Sequence, residues 1–273
     1  MPIQLHIQKM EREADVIKKN EKSANDYLTQ TYYTYKLQSE ETALIEESQP
    51  VASCVTEENQ KEKEKKEQKV AYLTFDDGPS CNTKRVLDVL NAYQINATFF
   101  LIGSNITPDT KPIVERMVKE GNAVGIHTYS HEANKMYASA EAFEKDFLQA
   151  EDIINATTGQ KARLCRFPWG SANNYLKKID SQVLPWLEEK GYYYCDWNVS
   201  AEDSIGTPTA YSIIRNIKKD YGRYEHPILL MHDSNTNCLT AEMLPDIIVM
   251  LKQDGYNFDT LDHMEKPYQY ARN

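Results

Sequence analysis

The segment Val70–Ile102 reads VAYLTFDDGPSCNTKRVLDVLNAYQINATFFLI and contains two short apolar runs separated by an amphipathic stretch. The two runs, VAYLTF and ATFFLI, have the length and the β-rich composition of strands, whereas residues 84–93 have the spacing of a helix. A strand followed by a helix and a second strand is typical of a βα unit. The segment therefore predicts an α/β fold with a parallel sheet.

The same alternation continues along the rest of the chain. Further apolar runs are NAVGIH, YYYCDWNV and ILLMH, and further amphipathic stretches cover residues 111–120 and 241–253. YNFDTL reads as a final strand, so we expect the fold to end near His263. Chemically reactive side chains follow directly after several of these runs. In parallel α/β folds this carboxyl edge of the sheet is where functional sites are built.

Composition and charge limit the classes of function. The 273 residues are 41% hydrophobic and 26% charged, which is ordinary for a soluble globular protein, and the formal net charge is -10. That acidity argues against nucleic-acid or anionic-membrane partners and favours a neutral or cationic substrate. The five cysteines lack the spacing of a zinc finger or a disulfide framework. The first residues lack the apolar core of a signal peptide, and we find no membrane-spanning run.

The sequence predicts three parts. Residues 1–55 are expected to form a helical arm, because apolar residues recur at alternating spacings of four and three from Ile3 to Leu28, with Glu21 as the exception. This arm could form a coiled coil that mediates self-association, or it could pack on its own domain. Residues 56–69 contain no apolar side chain and predict a charged, solvated linker. Residues 70–268 are then expected to form the main α/β domain.

Two adjacent carboxylates end the first predicted strand. Asp76 and Asp77 are followed by Gly78 and Pro79, a turn signal that lets consecutive side chains leave strict alternation and reach one cavity. One carboxylate could then bind a metal ion while the other serves as a general base. Taken alone, the DDG string fits equally a capped turn in which both carboxylates accept backbone N–H groups.

Two histidines follow the predicted strand NAVGIH. His127 and His131 are four residues apart, which would put both imidazoles on one side of a helical turn. Together with one carboxylate they would leave open coordination positions, as hydrolytic Zn²⁺ requires. The same ligand set suits non-haem Fe(II). A single HxxxH pair is more often structural than metal-binding.

Three later residues complete a candidate hydrolytic site. Arg166 lies in the turn RFPWG and is expected to pair with Asp76. His232 ends the strand ILLMH, and a carboxylate that accepts its ring N–H would make it a general acid. We expect Asp203 to be that carboxylate, with Asp196 as the alternative.

The ordered strings TFDDGP, HTYSH, RFPWG, DWNVSAED and LLMHD together resemble the five motifs of the polysaccharide deacetylases. This is carbohydrate esterase family 4, whose members share the NodB homology domain. The resemblance covers roughly Val70–His263 and does not extend to residues 1–69. It implies a deformed (β/α) barrel that removes N-acetyl groups from glycans with one divalent metal ion, usually Zn²⁺, with Co²⁺ or other divalent ions as alternatives.

The resemblance also implies roles for individual residues. Asp77, His127 and His131 would bind the metal, and Asp76 would be the general base. Arg166 would tune Asp76, His232 would protonate the leaving amine, and Asp203 would orient His232. The resemblance further implies a substrate-binding group, in which the backbone N–H of Trp169 would join the metal in holding the oxyanion and Leu230 would line the pocket for the acetyl methyl group. The members of this group are Pro168, Trp169, Gly170 and Leu230.

The fourth motif departs from the family pattern. Many members have an Asp and later a Trp where this chain has Ser200 and Ser204. The aromatic wall of the sugar groove could therefore be missing, or Trp169 or Trp197 could supply it.

The sequence thus predicts a metal-dependent deacetylase of glycans that contain N-acetylglucosamine, with peptidoglycan as the favoured substrate. The long N-terminal arm resembles a spacer between a catalytic domain and an anchor, which favours an extracellular or cell-surface location in a bacterium. Chitin oligosaccharides and acetylated xylan are alternative substrates. A glycan-binding or interaction protein without catalysis, and an Fe(II) oxygenase, are the alternatives from other classes of function.

Overall fold

The computed structural model describes residues 69–271, which form eight strands and seven α-helices. The predicted helical arm, residues 1–55, and all but the last residue of the predicted linker, residues 56–69, lie outside the described residues. In chain order the elements are β1 (Val70–Gly78), α1 (Cys81–Ala92), β2 (Thr98–Leu101), α2 (Lys111–Lys119), β3 (Ala123–Ile126), α3 (Ala133–Met136), α4 (Ala140–Thr158), β4 (Leu164–Cys165), α5 (Asp180–Glu189), β5 (Tyr193–Tyr194), β6 (Val199–Ser200), α6 (Ala210–Asp220), β7 (Ile228–His232), α7 (Cys238–Gln253) and β8 (Asn257–Phe258). Short 3-10 turns occupy Gly103–Asn105, Leu176–Lys178, Tyr221–Arg223 and Leu261–His263.

All the strand pairs are parallel, and the sheet order is β5-β4-β3-β2-β1-β7-β6, with β8 pairing the start of β1. Within residues 69–271 no strand pair joins β5 to β6, so the curled sheet stays open between these two strands. The expected deformed (β/α) barrel is confirmed.

β1 lies at the centre of the sheet, and its sequence explains why. Residues from Ala71 to Phe75 are buried on both faces, as expected for a parallel strand covered on each side. A strand with alternating polar residues could not occupy this place, because it would bury them without partners. The one polar residue in this run, Thr74, donates from its hydroxyl to the Leu229 carbonyl at 2.6 Å.

The amphipathic stretches form helices that cover the sheet, and three of the seven, α1, α4 and α6, begin at a side-chain cap that the sequence supplies. Ser80 starts α1 with a capping box in which Thr83 completes the reciprocal hydrogen bond. Thr209 and Ser212 form the same arrangement at the start of α6. Because the cap of α1 directly follows the DDGP turn, the helix anchors that turn from its carboxyl side.

The C-terminal residues contribute more contacts than the sequence predicts. We expected the fold to end near His263, but main-chain hydrogen bonds continue to Tyr268, whose carbonyl accepts from the Asp196 N–H at 2.8 Å. The Tyr270 N–H then donates to Asp196 Oδ2 at 2.9 Å. Irregular segments have no hydrophobic period, so the pattern of the sequence could not show this packing.

None of the helices formed by residues 69–271 combines the length and the apolar character that a membrane span requires.

Candidate active site

The turn after β1 carries the two adjacent carboxylates. Between Asp76 and Gly78 the pairing of β1 with β2 shifts by one residue, and Asp77 has a φ of 76°, in the left-handed region. This conformation lets both side chains reach the same cavity. Asp76 Oδ2 lies 3.8 Å and Asp77 Oδ1 lies 3.5 Å from Nε2 of His127.

His127 and His131 do not lie on a helix, so the predicted helical turn is wrong. Both residues belong to an irregular loop after β3, in which Thr128 and His131 have φ values of 65° and 54°. The two left-handed residues fold the loop back, and the imidazole centroids lie 5.1 Å apart. A spacing of four residues therefore brings the rings together through backbone conformations that residue spacing does not reveal.

One hydrogen bond determines the orientation of the His127 ring. Nδ1 of His127 lies 2.8 Å from the Arg166 carbonyl, which can only accept, so this nitrogen carries the proton. The lone pair of Nε2 then faces Asp77. A backbone carbonyl on the second ring nitrogen is the usual way in which proteins orient a histidine that binds metal.

Asp77, His127 and His131 form a group that fits a divalent cation. Nε2 of His131 lies 3.4 Å from Asp77 Oδ1, and the three ligand atoms all lie within 4.8 Å of one another. The same Asp77 oxygen is buried and has no hydrogen-bond partner, so a positive ion would satisfy it. Burial and the nearby His127 lower the pKa of His131, against the opposing charges of Asp77 and Asp76. A neutral imidazole is the form that binds metal.

Arg166 is completely enclosed, although an arginine in a loop is usually on the surface. Its guanidinium donates to Asp76 Oδ1 at 2.9 Å and to the Thr74 hydroxyl at 2.7 Å. It also donates to the carbonyls of Cys195 and Asp196, at 2.9 and 3.2 Å. The Cζ atom lies 4.2 Å from the centroid of a phenylalanine ring of β2. These contacts hold the charge of Arg166 against Asp76 and leave it no freedom to move.

His232 and Asp203 are in contact at the end of β7. Nδ1 of His232 lies 2.8 Å from Asp203 Oδ1, and the His232 main-chain N–H donates to Oδ2 at 2.8 Å. Burial lowers the pKa of His232, but the hydrogen bond and charge of Asp203, and then the charges of Asp76 and Asp77, outweigh it and raise the pKa to about 9. A protonated His232 can donate its remaining ring proton.

Asp196, the alternative partner for His232, binds Ser171 and Tyr270 instead. Its carboxylate accepts from the Ser171 N–H at 2.8 Å, the Ser171 hydroxyl at 2.5 Å and the Tyr270 N–H at 2.9 Å. This carboxylate therefore ties the loop after β4 to the C-terminal segment.

The residues of the predicted substrate-binding group belong to two segments, the loop after β4 and strand β7. Trp169 is 50% exposed, has a φ of 64°, and its ring lies 4.9 Å from that of His131. Pro168 and Gly170 flank it in the same loop, and both carbonyls accept from the Asn173 amide. Leu230 lies on β7, two residues before His232, and is 7% exposed. Trp197 is partly buried and packs on Tyr270, so Trp169 is the tryptophan that faces solvent at this site.

Sequence reasoning missed several residues that support the site. Thr74 accepts from Arg166, and Thr240 donates to Asp203 Oδ2 at 2.6 Å. Asp233 is fully buried beneath Gly78, where an added Cβ would lie 2.6 Å from its carboxylate. Its position next to His232 in the string LLMHD was the available signal. No local pattern marks the two threonines, because their partners are distant in sequence.

Burial raises the pKa of Asp233 to about 7. The hydrogen bond from Thr83 lowers it, the charges of Asp77 and Asp76 raise it, and the charge of His232 lowers it. Oδ1 of Asp233 is buried without a hydrogen-bond partner, as is Oδ1 of Asp77.

Comparisons with known proteins show which proteins this chain is similar to. Residues 63–183 match a family model described as polysaccharide deacetylase. The chain is 32% identical over 205 residues to a peptidoglycan-N-acetylglucosamine deacetylase of Bacillus cereus, an alignment that covers 71% of this chain and 70% of that enzyme. It is 38% identical over 199 residues to a bifunctional xylanase/deacetylase of Pseudobutyrivibrio xylanivorans, covering 72% of this chain but only 30% of that protein.

A solved structure is similar over most of its length. The catalytic domain of a peptidoglycan N-acetylglucosamine deacetylase from Eubacterium rectale superposes with a TM-score of 0.69 at 31% sequence identity. The match covers 82% of this chain and 98% of that domain.

Proposed function

Because the chain belongs to the polysaccharide deacetylase family, whose members are hydrolases acting on acetylated carbohydrates, we propose that it removes N-acetyl groups from N-acetylglucosamine residues of peptidoglycan. The products are acetate and a free amine. The observation that carries the proposal is a cluster that holds a candidate metal site, a buried carboxylate, Asp76, next to it, and His232, whose pKa is raised by Asp203 and by the charges of Asp76 and Asp77. These two groups supply a base and an acid for amide hydrolysis.

Asp77, His127 and His131 would hold the divalent ion. Two imidazole nitrogens and one carboxylate oxygen favour Zn²⁺, and Co²⁺ or other divalent ions also suit this set. The bound ion would polarise the amide carbonyl and acidify water. The unpartnered Asp77 oxygen and the carbonyl that orients His127 support this assignment.

Asp76 takes the proton of the attacking water. Arg166 holds Asp76 Oδ1, so the other oxygen, Oδ2, is the atom available to accept this proton. The hydrogen bond from the buried guanidinium fixes the orientation of the carboxylate, as a positioned general base requires.

His232 donates the proton that the leaving amine needs. Its Nδ1 is held by Asp203, so Nε2 is the donor, and it is bordered by the Ser204 hydroxyl at 3.5 Å. Cleavage of the C–N bond then leaves the glucosamine residue of the glycan with a neutral amine rather than with an unstable nitrogen anion. Asp203 orients the ring and stabilises its charged form.

The backbone N–H of Trp169 and the side chain of Leu230 would contact the acetyl group. None of the hydrogen bonds among residues 69–271 uses the backbone N–H of Trp169, so this group can donate to the developing oxyanion. Leu230 presents an apolar side chain on the strand that carries His232, two residues before it, where the acetyl methyl group would pack. Pro168 and Gly170 hold the Trp169 turn in place.

Peptidoglycan is favoured as the substrate because the Bacillus cereus and Eubacterium rectale relatives are named for it. Acetylated xylan is the second candidate, favoured by the identity to the bifunctional xylanase/deacetylase. Chitin oligosaccharides need no change in the proposed catalytic residues. We place the protein at the surface of a bacterial cell, with residues 1–55 as an arm capable of self-association, residues 56–69 as a linker and residues 70–268 as the catalytic domain.

A substrate panel tests the proposal directly. Purified protein is analysed for bound metal and then incubated with peptidoglycan, N-acetylglucosamine oligomers and acetylated xylan, and released acetate is measured. We expect about one metal ion per chain and acetate from peptidoglycan. A glycan-binding protein without catalysis would release none, and an Fe(II) oxygenase would consume dioxygen instead. Either result would refute the proposal.

A further inference from the structure

We propose that Tyr175, held next to Trp169, forms a rigid aromatic subsite for the sugar next to the one that is deacetylated, so that this side chain raises kcat/KM for oligomers but not for the monomer. This inference rests on the proposed function. It concerns Tyr175, which lies outside the five sequence motifs.

The two rings form a continuous exposed aromatic surface. Trp169 is 50% and Tyr175 is 44% exposed, and their centroids lie 5.7 Å apart at an interplanar angle of 49°. Among the described residues, the other large exposed apolar side chains are Leu148, Ile205 and Tyr211. Tyr211 makes no ring contact with this pair. Neighbouring exposed apolar side chains of this kind usually mark a binding surface.

This surface begins at the candidate metal site. The Trp169 ring lies 4.9 Å from the ring of His131, and Tyr175 lies beyond Trp169. A sugar whose acetyl group reaches the metal ligands would therefore lie beside Trp169. The Tyr175 ring is one aromatic residue further out, where the adjacent sugar of a chain would sit.

The tyrosine is fixed before any ligand arrives. Its ring lies parallel to that of buried Tyr137, at 6.2 Å and 5°, and Tyr137 stacks in turn on Phe143. Asn173 Oδ1 accepts from the Tyr175 and Leu176 N–H groups at 2.9 and 2.8 Å. The side-chain amide of Asn173 also donates to the carbonyls of Pro168 and Gly170, the two neighbours of Trp169. Asn173 therefore holds both rings in one segment.

A pyranose ring is the ligand that suits such a surface. One face of the ring presents C–H groups, which pack on the electron-rich face of an aromatic ring, while the hydroxyl groups point away into water. Preorganised rings lose little conformational entropy on binding. The Lys178 ammonium lies 6.0 Å from the Tyr175 centroid, and because an exposed lysine gains little from such a contact, it can move aside.

The test is the dependence of kcat/KM on chain length for N-acetylglucosamine oligomers from the monomer to the pentamer. For the unmodified protein we expect kcat/KM to rise from monomer to dimer or trimer. Tyr175→Ala should reduce the oligomer-to-monomer ratio of kcat/KM by about tenfold, mainly through KM. Tyr175→Phe, which keeps the ring, should restore the ratio.

Two controls keep this test independent of the proposed function. Tyr211→Ala removes an exposed tyrosine away from the loop and should leave the ratio unchanged. Binding of glucosamine oligomers, which cannot be deacetylated, is measured by titration calorimetry and should weaken in Tyr175→Ala but not in Tyr175→Phe.

The inference is overturned if Tyr175→Ala leaves both the ratio and the binding unchanged, or if it lowers kcat/KM of monomer and oligomers by the same factor. Absence of acetate release from every substrate would instead refute the proposed function, and the calorimetry would still decide the subsite.

Discussion

Arg166 Nη1 donates a hydrogen bond to Asp76 Oδ1 at 2.9 Å, and the two side chains are 0% and 4% exposed. The pair connects the loop after β4 to the end of the central strand β1. Because a buried ion pair leaves an uncompensated charge when one partner is removed, this contact links the stability of the fold to the chemistry of the site.

Replacing Asp76 with Asn should separate catalysis from metal binding. The amide oxygen can still accept from Arg166, but it cannot take a proton from water. We expect Asp76→Asn to keep its metal and to lose about 10²- to 10⁴-fold in kcat. Metal analysis and acetate release measure the two effects, with exposed Asp152→Asn as the control. Near-native turnover would show that Asp76 is not the base.

Replacing Arg166 should destabilise the fold. Arg166→Ala removes the guanidinium that donates four hydrogen bonds and leaves Asp76 buried without its partner. We therefore expect a loss of about 3–5 kcal/mol in the free energy of unfolding. Arg166→Lys keeps the charge but not the planar fork, and should lose less. Urea unfolding measures both. The control is Arg223→Ala, at an exposed arginine, which should change stability little. Equal midpoints for Arg166→Ala and this control would contradict the prediction.

The pH dependence should report the His232–Asp203 pair. His232 has its pKa raised from 6.5 to about 9, so its charged form stabilises the fold fully below pH 6.5, and this contribution is lost as pH rises through about 9. Proton donation by His232 should fail over the same range, so kcat/KM should fall above about pH 9.

Asp203→Asn should move this alkaline limb to lower pH, because the carboxylate is the largest cause that raises the pKa of His232. A pH profile of acetate release measures the shift. An alkaline limb that stays in place would show that another group controls it.

Removal of the metal ligands should abolish metal binding and activity together. Asp77→Ala and His131→Ala each delete one of the three ligands, and we expect metal content and acetate release to fall in parallel. A chelator should have the same effect on the unmodified protein, lower its Tm, and be reversed by added Zn²⁺. His263→Ala, at an exposed histidine outside the cluster, is the control. Full activity in metal-free protein would contradict the assignment.

Asp196 should matter for the position of the loop after β4 rather than for proton transfer. Asp196→Ala leaves the Ser171 and Tyr270 N–H groups without their acceptor, and we expect a loss of about 1–3 kcal/mol in stability. The alkaline limb of the pH profile should stay where it is, since the carboxylate does not contact His232. A shifted limb would show that Asp196 also controls His232.

Much of the fold and part of the site could be predicted from local patterns. The alternation of strands and helices predicted the parallel sheet, because burial on both faces of a strand leaves a continuous apolar run. The pairing of Arg166 with Asp76 and of His232 with Asp203 was also expected, and the structure brings these residues into contact.

Local patterns failed where the backbone leaves regular structure. His127 and His131 were expected on a helical turn, and instead lie in a loop with two left-handed residues. The packing of residues beyond His263 and the choice between Asp203 and Asp196 depend on contacts between segments that are distant in the chain.

The amino-acid sequence alone was sufficient to predict the order of strands and helices and to propose the acid, base and metal-binding side chains, since these predictions depend on residue type, short spacing and the order of the motifs. The three-dimensional fold was needed to bring Asp77 Oδ1 within 3.5 Å of two imidazoles, to enclose Arg166, and to place Tyr175 beside Trp169. Such distances arise when a curled sheet brings together the ends of strands that lie far apart in the chain, and no spacing along the chain encodes them.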